Sequence, residues 1–178
     1  MIEFRAPNRA EMALRQEWLA DPEFMSYNAG WAVEFAGYHR DTGCVDFPPE
    51  VRGVWYHVWV GGVDRDYWFV EDARQHIVGH AHYRIEIDED GRRVAEIGAS
   101  IHPDHRRRGL GLATFAELVR RLKSPGRVDV VRNSFEETRT GAVRIHLALG
   151  FRPVDVDAGL DSGRPVTTYE LAFGSLSA

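Results

Sequence analysis

The hydrophobic period changes between Ile77 and Leu122, and that change restricts the chain to a sheet with a helix laid upon it. Ile77 to Ile87 alternates in part, with Val78, His80, His82, Arg84 and Glu86 opposite Ala81, Tyr83, Ile85 and Ile87. Asp88-Glu89-Asp90-Gly91 is a turn signal, and Val94 to Ile101 reads as the returning strand. Past Pro103 the period lengthens. Leu112, Phe115, Leu118, Val119 and Leu122 form the apolar stripe of a helix that Ser124-Pro125-Gly126 stops.

The flanks extend this plan. Ile2 to Arg5 reads as a strand, and Asn8 with Glu11 has capping-box spacing ahead of Ala10, Leu14 and Trp18. Asp21-Pro22 closes that helix or restarts the chain in another. Met25 to Phe47 has no firm period but is dense in Tyr27, Asn28, Trp31, Phe35, Tyr38 and His39, so it either covers the core or lines a cleft. Pro48-Pro49-Glu50 starts a helix carrying Val51, Trp55, Val58 and Trp59, with a buried strand as the competing reading. Tyr67 to Val70 and Val128 to Val131 read as strands. Thr138 is placed to cap a helix bearing Ala142, Ile145 and Leu149, ended by Gly150. Phe151 to Val156 and Val166 to Phe173 complete the sheet. The expectation is one mixed α/β domain over residues 1–178, with a mostly antiparallel sheet of about six or seven strands flanked by helices.

Composition narrows the function. At 178 residues the chain can bury a core without a metal or disulfide staple, and its single cysteine, Cys44, cannot pair internally. The net charge of −5 argues against a general nucleic-acid binder. No stretch approaches the ~18 apolar residues of a membrane span, and the N-terminus has no signal-like apolar core. The reading is a cytoplasmic protein with no membrane or nucleic-acid partner. Exposed strands and many aromatics suit a homodimer.

The chemistry concentrates in Ile101-His102-Pro103-Asp104-His105-Arg106-Arg107-Arg108-Gly109-Leu110-Gly111-Leu112. A strand ends, a basic glycine turn follows, and a helix begins at once. That arrangement aims backbone N–H groups and a helix dipole at one point, which is a site for an anion. Gly109 and Gly111 let backbone approach a phosphate without a Cβ between them. No Gly-Lys-Ser/Thr follows, which excludes a Walker loop, and no Gly-x-Gly-x-x-Gly sits in a βαβ unit.

Arg106-Arg107-Arg108-Gly109-Leu110-Gly111 resembles the acetyl-CoA motif of the GNAT superfamily of N-acetyltransferases, Arg/Gln-x-x-Gly-x-Gly/Ala after a strand ending near a Pro. Glu96-Ile97-Gly98 looks like the start of that strand in the ribosomal-protein-acetylating branch. Ala142 to Phe151 resembles the family's last helix, which ends in Gly-Phe. The resemblance implies a sheet that splays beside Glu96 to Ile101, with pantetheine pairing near Ser100 and Ile101. It implies a pyrophosphate on amides from Arg106 through Leu112, with the Arg106, Arg107 and Arg108 side chains aiding the adenosine phosphate. Two positions depart from it: Arg139 stands where many members have Asn, and His146 where many have the Tyr that protonates the leaving thiolate.

The implied reaction is acetyl transfer from acetyl-CoA, without a metal, to an amine of a small molecule, peptide or protein. The alternative is a non-catalytic acyl-CoA-binding or sensing domain. Glu96 is the first candidate base, against a cross-turn pair with Arg92 or Arg93. His146 is a candidate acid, against simple packing beside the cofactor. Asn133-Ser134-Phe135-Glu136-Glu137-Thr138 should open onto the same cleft, with Asn133 as a substrate contact and Glu136 and Glu137 as binders of a cationic substrate or further bases, against simple charge complementarity at a helix start. Tyr27, Asn28 and Trp31 lie where the family places its acceptor lid, with a capped hydrophobic edge as the alternative. His80, His82, His102 and His105 do not make a metal set, because no cysteine or clear third ligand completes one.

Overall fold

The computed structural model describes residues 1–31, 33–124, 126–157 and 165–173. Seven strands form one sheet: β1 (Ile2–Arg5), β2 (Arg65–Asp72), β3 (Ile77–Ile87), β4 (Arg93–Ile101), β5 (Val130–Glu136), β6 (Arg152–Asp157) and β7 (Val166–Ala172). Their spatial order is β1-β2-β3-β4-β5-β7-β6. Every pairing is antiparallel except β4 with β5. The helices are α1 (Met12–Ala20), α2 (Pro22–Met25), α3 (Pro49–Trp59), α4 (Leu110–Leu122) and α5 (Thr140–Ala148).

Alternation along β2 divides the interior. Trp68 and Val70 join Ala81, Tyr83, Ile97, Phe115, Leu118 and Leu122 in the core beneath α4. Tyr67 and Phe69 point the other way, into a second core with Trp18, Phe24 and Met25 from α1 and α2. A bulge between Val70 and Glu71 leaves Val78 without a partner in β2 and lets it join the first core.

The capping box at the first helix forms in both directions. Asn8 Oδ1 accepts from the Glu11 amide at 3.1 Å, and Glu11 Oε2 accepts from the Asn8 amide at 2.8 Å. Three local expectations are corrected. Leu112 is exposed at the start of α4, and Thr114 is buried. Thr138 caps nothing: its hydroxyl donates to Glu136, and α5 begins two residues later without a side-chain cap. The segment Pro49–Trp59 is helical as favoured, but it turns Val51, Val54 and Val58 outward and packs Trp55 and Trp59 inward. Pro125, part of the expected helix stop, lies outside the described residues.

The parallel pairing of β4 with β5 is short. Val94, Ala95 and Glu96 face Val130, Val131 and Arg132, and no pair follows. β3 continues to accompany β4 as far as Ile101, while β5 turns toward β7. The sheet therefore divides in its middle just beyond Glu96.

Candidate active site

Just after β4 ends, the chain makes a single 3₁₀ turn and then reverses into α4. Arg107 (φ 62°) and Gly109 (φ 76°) both adopt left-handed backbone. A Cβ on Gly109 would touch nothing within 4 Å, so the glycine serves the backbone angle and leaves the space above it open. Gly111 is constrained differently: a Cβ there would press on Ile145 at 3.2 Å. Among the described residues, the amides of Arg107 through Leu112 find no acceptor within the protein, and the first helical bond runs from Ala113 to Gly109. Six consecutive donors at the positive end of a 13-residue helix form an anion cradle.

One member of the expected run drops out. The Arg106 amide donates to Pro103, and its Nε donates to the Ile101 carbonyl at 3.0 Å. Arg106 thus fastens the turn to the end of β4. Arg108 is held by the Asp104 carbonyl.

The gap between β4 and β5 opens into a cleft of about 490 Å³. Glu96 through Ser100 form one wall, and Asn133, Ser134 and Phe135 form the other. Tyr27, Asn28 and Trp31 lie over it from the aromatic segment. Tyr38 steadies that segment by donating to the Asn28 carbonyl and accepting from the Trp31 amide at 3.1 Å.

Glu96 stands in register between Arg84 on β3 and Arg132 on β5. Burial pushes its carboxyl above the usual range, against the pull of Arg132 (3.6 Å) and Arg84. The cross-turn pairing with Arg92 or Arg93 does not form. Arg92 binds Asp88 and Glu170, and Arg93 reaches the Arg127 carbonyl. Arg132 is drawn mainly to Glu170, at 2.8 Å from Nε, so Glu96 keeps a loosely held carboxylate facing the cleft.

His146 is fully buried, ringed by Phe115, Phe135 and Phe151 at 4.7 to 4.9 Å between centroids. Its Nδ1 lies 2.8 Å from the Ala142 carbonyl, which can only accept, so Nδ1 carries the proton. Nε2 then accepts from Asn133 Nδ2 at 3.0 Å. Burial lowers the pKa and keeps the ring neutral. Neither nitrogen offers a proton to the cleft, which removes the geometric basis for His146 as the acid. It orients Asn133 instead. His146→Ala should cost about 3 kcal/mol of stability, the penalty of a cavity among aromatics, measured by urea denaturation. The pH dependence of turnover should keep its wild-type shape; loss of one limb would restore the acid role.

Glu136 also leaves the cleft. It is buried at the end of β5, accepts from Thr138, and is not among the lining residues. Asn133 does line the cleft with Ser134 and Phe135, as expected of that segment, and so do residues that the sequence reading did not place there: Trp59, His82 and Arg139. Arg139 donates to the Tyr27 carbonyl and lies 5.1 Å from its ring, joining α5 to the aromatic segment.

A family model described as the acetyltransferase (GNAT) family matches residues 16–151. The chain belongs to the GNAT family. Among curated proteins, a mycothiol acetyltransferase from Saccharomonospora viridis is 46% identical over 50 residues, a stretch covering 28% of this chain and only 16% of that relative. Solved GNAT-like structures show the same fold at low identity. The yncA protein of Salmonella typhimurium, solved with its cofactor acetyl-CoA, is 19% identical with a TM-score of 0.71, covering 100% of this chain and 97% of that one. A spermidine N-acetyltransferase from Vibrio cholerae, solved with CoA and spermine, is 16% identical with a TM-score of 0.74, covering 96% and 95%. The activity of this family is acetyl transfer from acetyl-CoA. No described helix is long and apolar enough to cross a membrane.

Proposed function

We propose that this GNAT protein transfers an acetyl group from acetyl-CoA to an amine of a small molecule or peptide, by direct attack on the thioester. The observation that carries the reading is the parting of β4 from β5 on the strand that leads into six amides without an acceptor among the described residues. Pantetheine would lie in the gap along Ser100 and Ile101, the pyrophosphate on the amides of Arg107 to Leu112, and the Arg107 and Arg108 side chains beside the adenosine phosphate. Asn28 and Trp31 would hold the acceptor, with Asn133 on the opposite wall.

Glu96 would take the proton from the ammonium or from the attacking amine. Nitrogen then bonds to the acetyl carbon, the carbon–sulfur bond breaks, and the thiolate requires a proton. Tyr27 is the tyrosine lining the cleft. It shares the cleft wall with Ser100, and burial raises the pKa of its hydroxyl, so it enters the reaction protonated. We assign it the proton donation that His146 cannot make. Tyr27→Phe should lower kcat roughly 10- to 100-fold, measured by thiol release, and abolish the high-pH fall in rate. An unchanged profile would exclude Tyr27. A cytoplasmic location, where acetyl-CoA is available, suits this activity.

The direct test is calorimetric titration with acetyl-CoA and, as control, ADP. Acetyl-CoA should bind at least about tenfold more tightly, because only it fills the gap between the strands. Absence of binding to either would make the turn purely structural and end the acetyltransferase reading.

A further inference from the structure

A second chamber of about 200 Å³ adjoins the cleft, and the two share Tyr27, Asn28, Trp59, His80 and His82. Its walls are aromatic and aliphatic, and no Asp or Glu is among them. Arg15 nevertheless lines it. The guanidinium carbon lies 3.5 Å from the centre of the Trp55 ring and 5.7 Å from those of Phe47 and Tyr67. Among the described residues Arg15 has no carboxylate partner. Burial works against its charge, yet an arginine stays protonated in a protein.

Other polar groups here are likewise unmatched. The Tyr67 hydroxyl is buried and, among the described residues, without a hydrogen bond of good geometry; burial pushes its pKa up against the pull of Arg15, so it stays a neutral phenol. His80 Nδ1 and Asn28 Oδ1 are also buried without partners. Burial holds His82 down to about 4 and His80 well below its ordinary value, so both rings are neutral. The chamber therefore presents one cation and several uncharged hydrogen-bonding groups inside an apolar wall. A group left this way is costly unless something binds it.

The chamber is also aligned with the chemistry. His82 lies flat against β4 at Gly98, where a Cβ would fall 2.4 Å from its ring. Tyr67 separates His82 from Arg15, with ring centres 6.5 Å apart on one side and the guanidinium 5.7 Å away on the other. The Tyr67 and His82 rings thus form a continuous wall from Arg15 to the strand that carries Glu96.

We propose that this chamber selects the acceptor: an amine bearing a carboxylate at the far end of an apolar body, the carboxylate held by Arg15 and Tyr67 and the amine delivered to Glu96. This rests on the acetyltransferase reading and names its substrate class. A polyamine is disfavoured, since its far ammonium would meet Arg15 where no acid lies.

The test compares matched amines at equal concentrations of free amine: 4-(aminomethyl)benzoate against benzylamine, and 6-aminohexanoate against hexylamine, with spermidine as the polycation. In the wild type, kcat/KM should favour each carboxylate by on the order of 100-fold, because the amine without it leaves Arg15 unpaired. Arg15→Gln should collapse that ratio toward one, with Arg15→Lys in between. The decision stands on the wild-type ratios alone if the glutamine variant is unfolded by circular dichroism. Preference for the plain amines or spermidine overturns the proposal, as does an Arg15→Gln enzyme with its ratio intact. Acetyl-CoA binding without turnover of either carboxylate also overturns it and leaves the family activity standing. Failure to bind acetyl-CoA at all overturns the reading beneath it.

Discussion

Gly109→Glu should weaken acetyl-CoA binding by at least about 1,000-fold while the protein remains folded. The variant puts a carboxylate where the cradle is built for phosphate, and its side chain enters the space that stands open above Gly109. The left-handed backbone at φ 76° adds a strain of about 1–2 kcal/mol for any residue with a Cβ. That cost is offset in part, since an acidic side chain is favourable at the start of a helix. Unfolding therefore cannot account for the loss. Calorimetry gives the affinity and circular dichroism the fold. Gly109→Ala separates the contributions, because it carries the strain without the charge and should lose far less. Near-normal binding by the glutamate variant would refute the cradle.

Glu96→Gln should reduce kcat by about 100- to 1,000-fold, the range for loss of a general base, with acetyl-CoA affinity close to wild type. The pH dependence carries the sign. Burial raises the Glu96 pKa, so the carboxylate forms only above the ordinary carboxyl range. Wild-type turnover then falls as the medium is acidified through that raised value. The glutamine variant has nothing to titrate there, and its low-pH limb should flatten. If Glu96 merely counters Arg132, the substitution will shift stability and leave the limb in place.

Much of this architecture was legible from local pattern. The turn chemistry of Asp88 to Gly91 gives the β3–β4 hairpin, and the stripe Phe115, Leu118 and Leu122 gives the buried face of α4. The family resemblance located the glycine turn and anticipated a splay. What the pattern could not give was partnership. Glu96 has equally good arginine partners in Arg92, Arg93, Arg84 and Arg132, and only the pairing of distant strands decides among them. His146 looked like a proton donor because its residue type titrates; burial among three phenylalanines lowers its pKa, and the Ala142 carbonyl and Asn133 occupy both ring nitrogens. Arg15 did leave a trace. It falls three residues after Met12 and three before Trp18, on the buried side of α1, an unusual place for a cation.

The division of the sheet has a mechanical meaning. Four strands on one side and three on the other are joined along the sheet by only three residue pairs at one end, so the molecule is closer to two leaves on a short spine than to a single plate. In the proposed complex a cofactor lying between the leaves would replace the missing ladder with its own amides, and the contact that holds it would also set how far the leaves stand apart. The opening proposed for the thioester is thus weakly laddered, and occupying it should stiffen both halves at once.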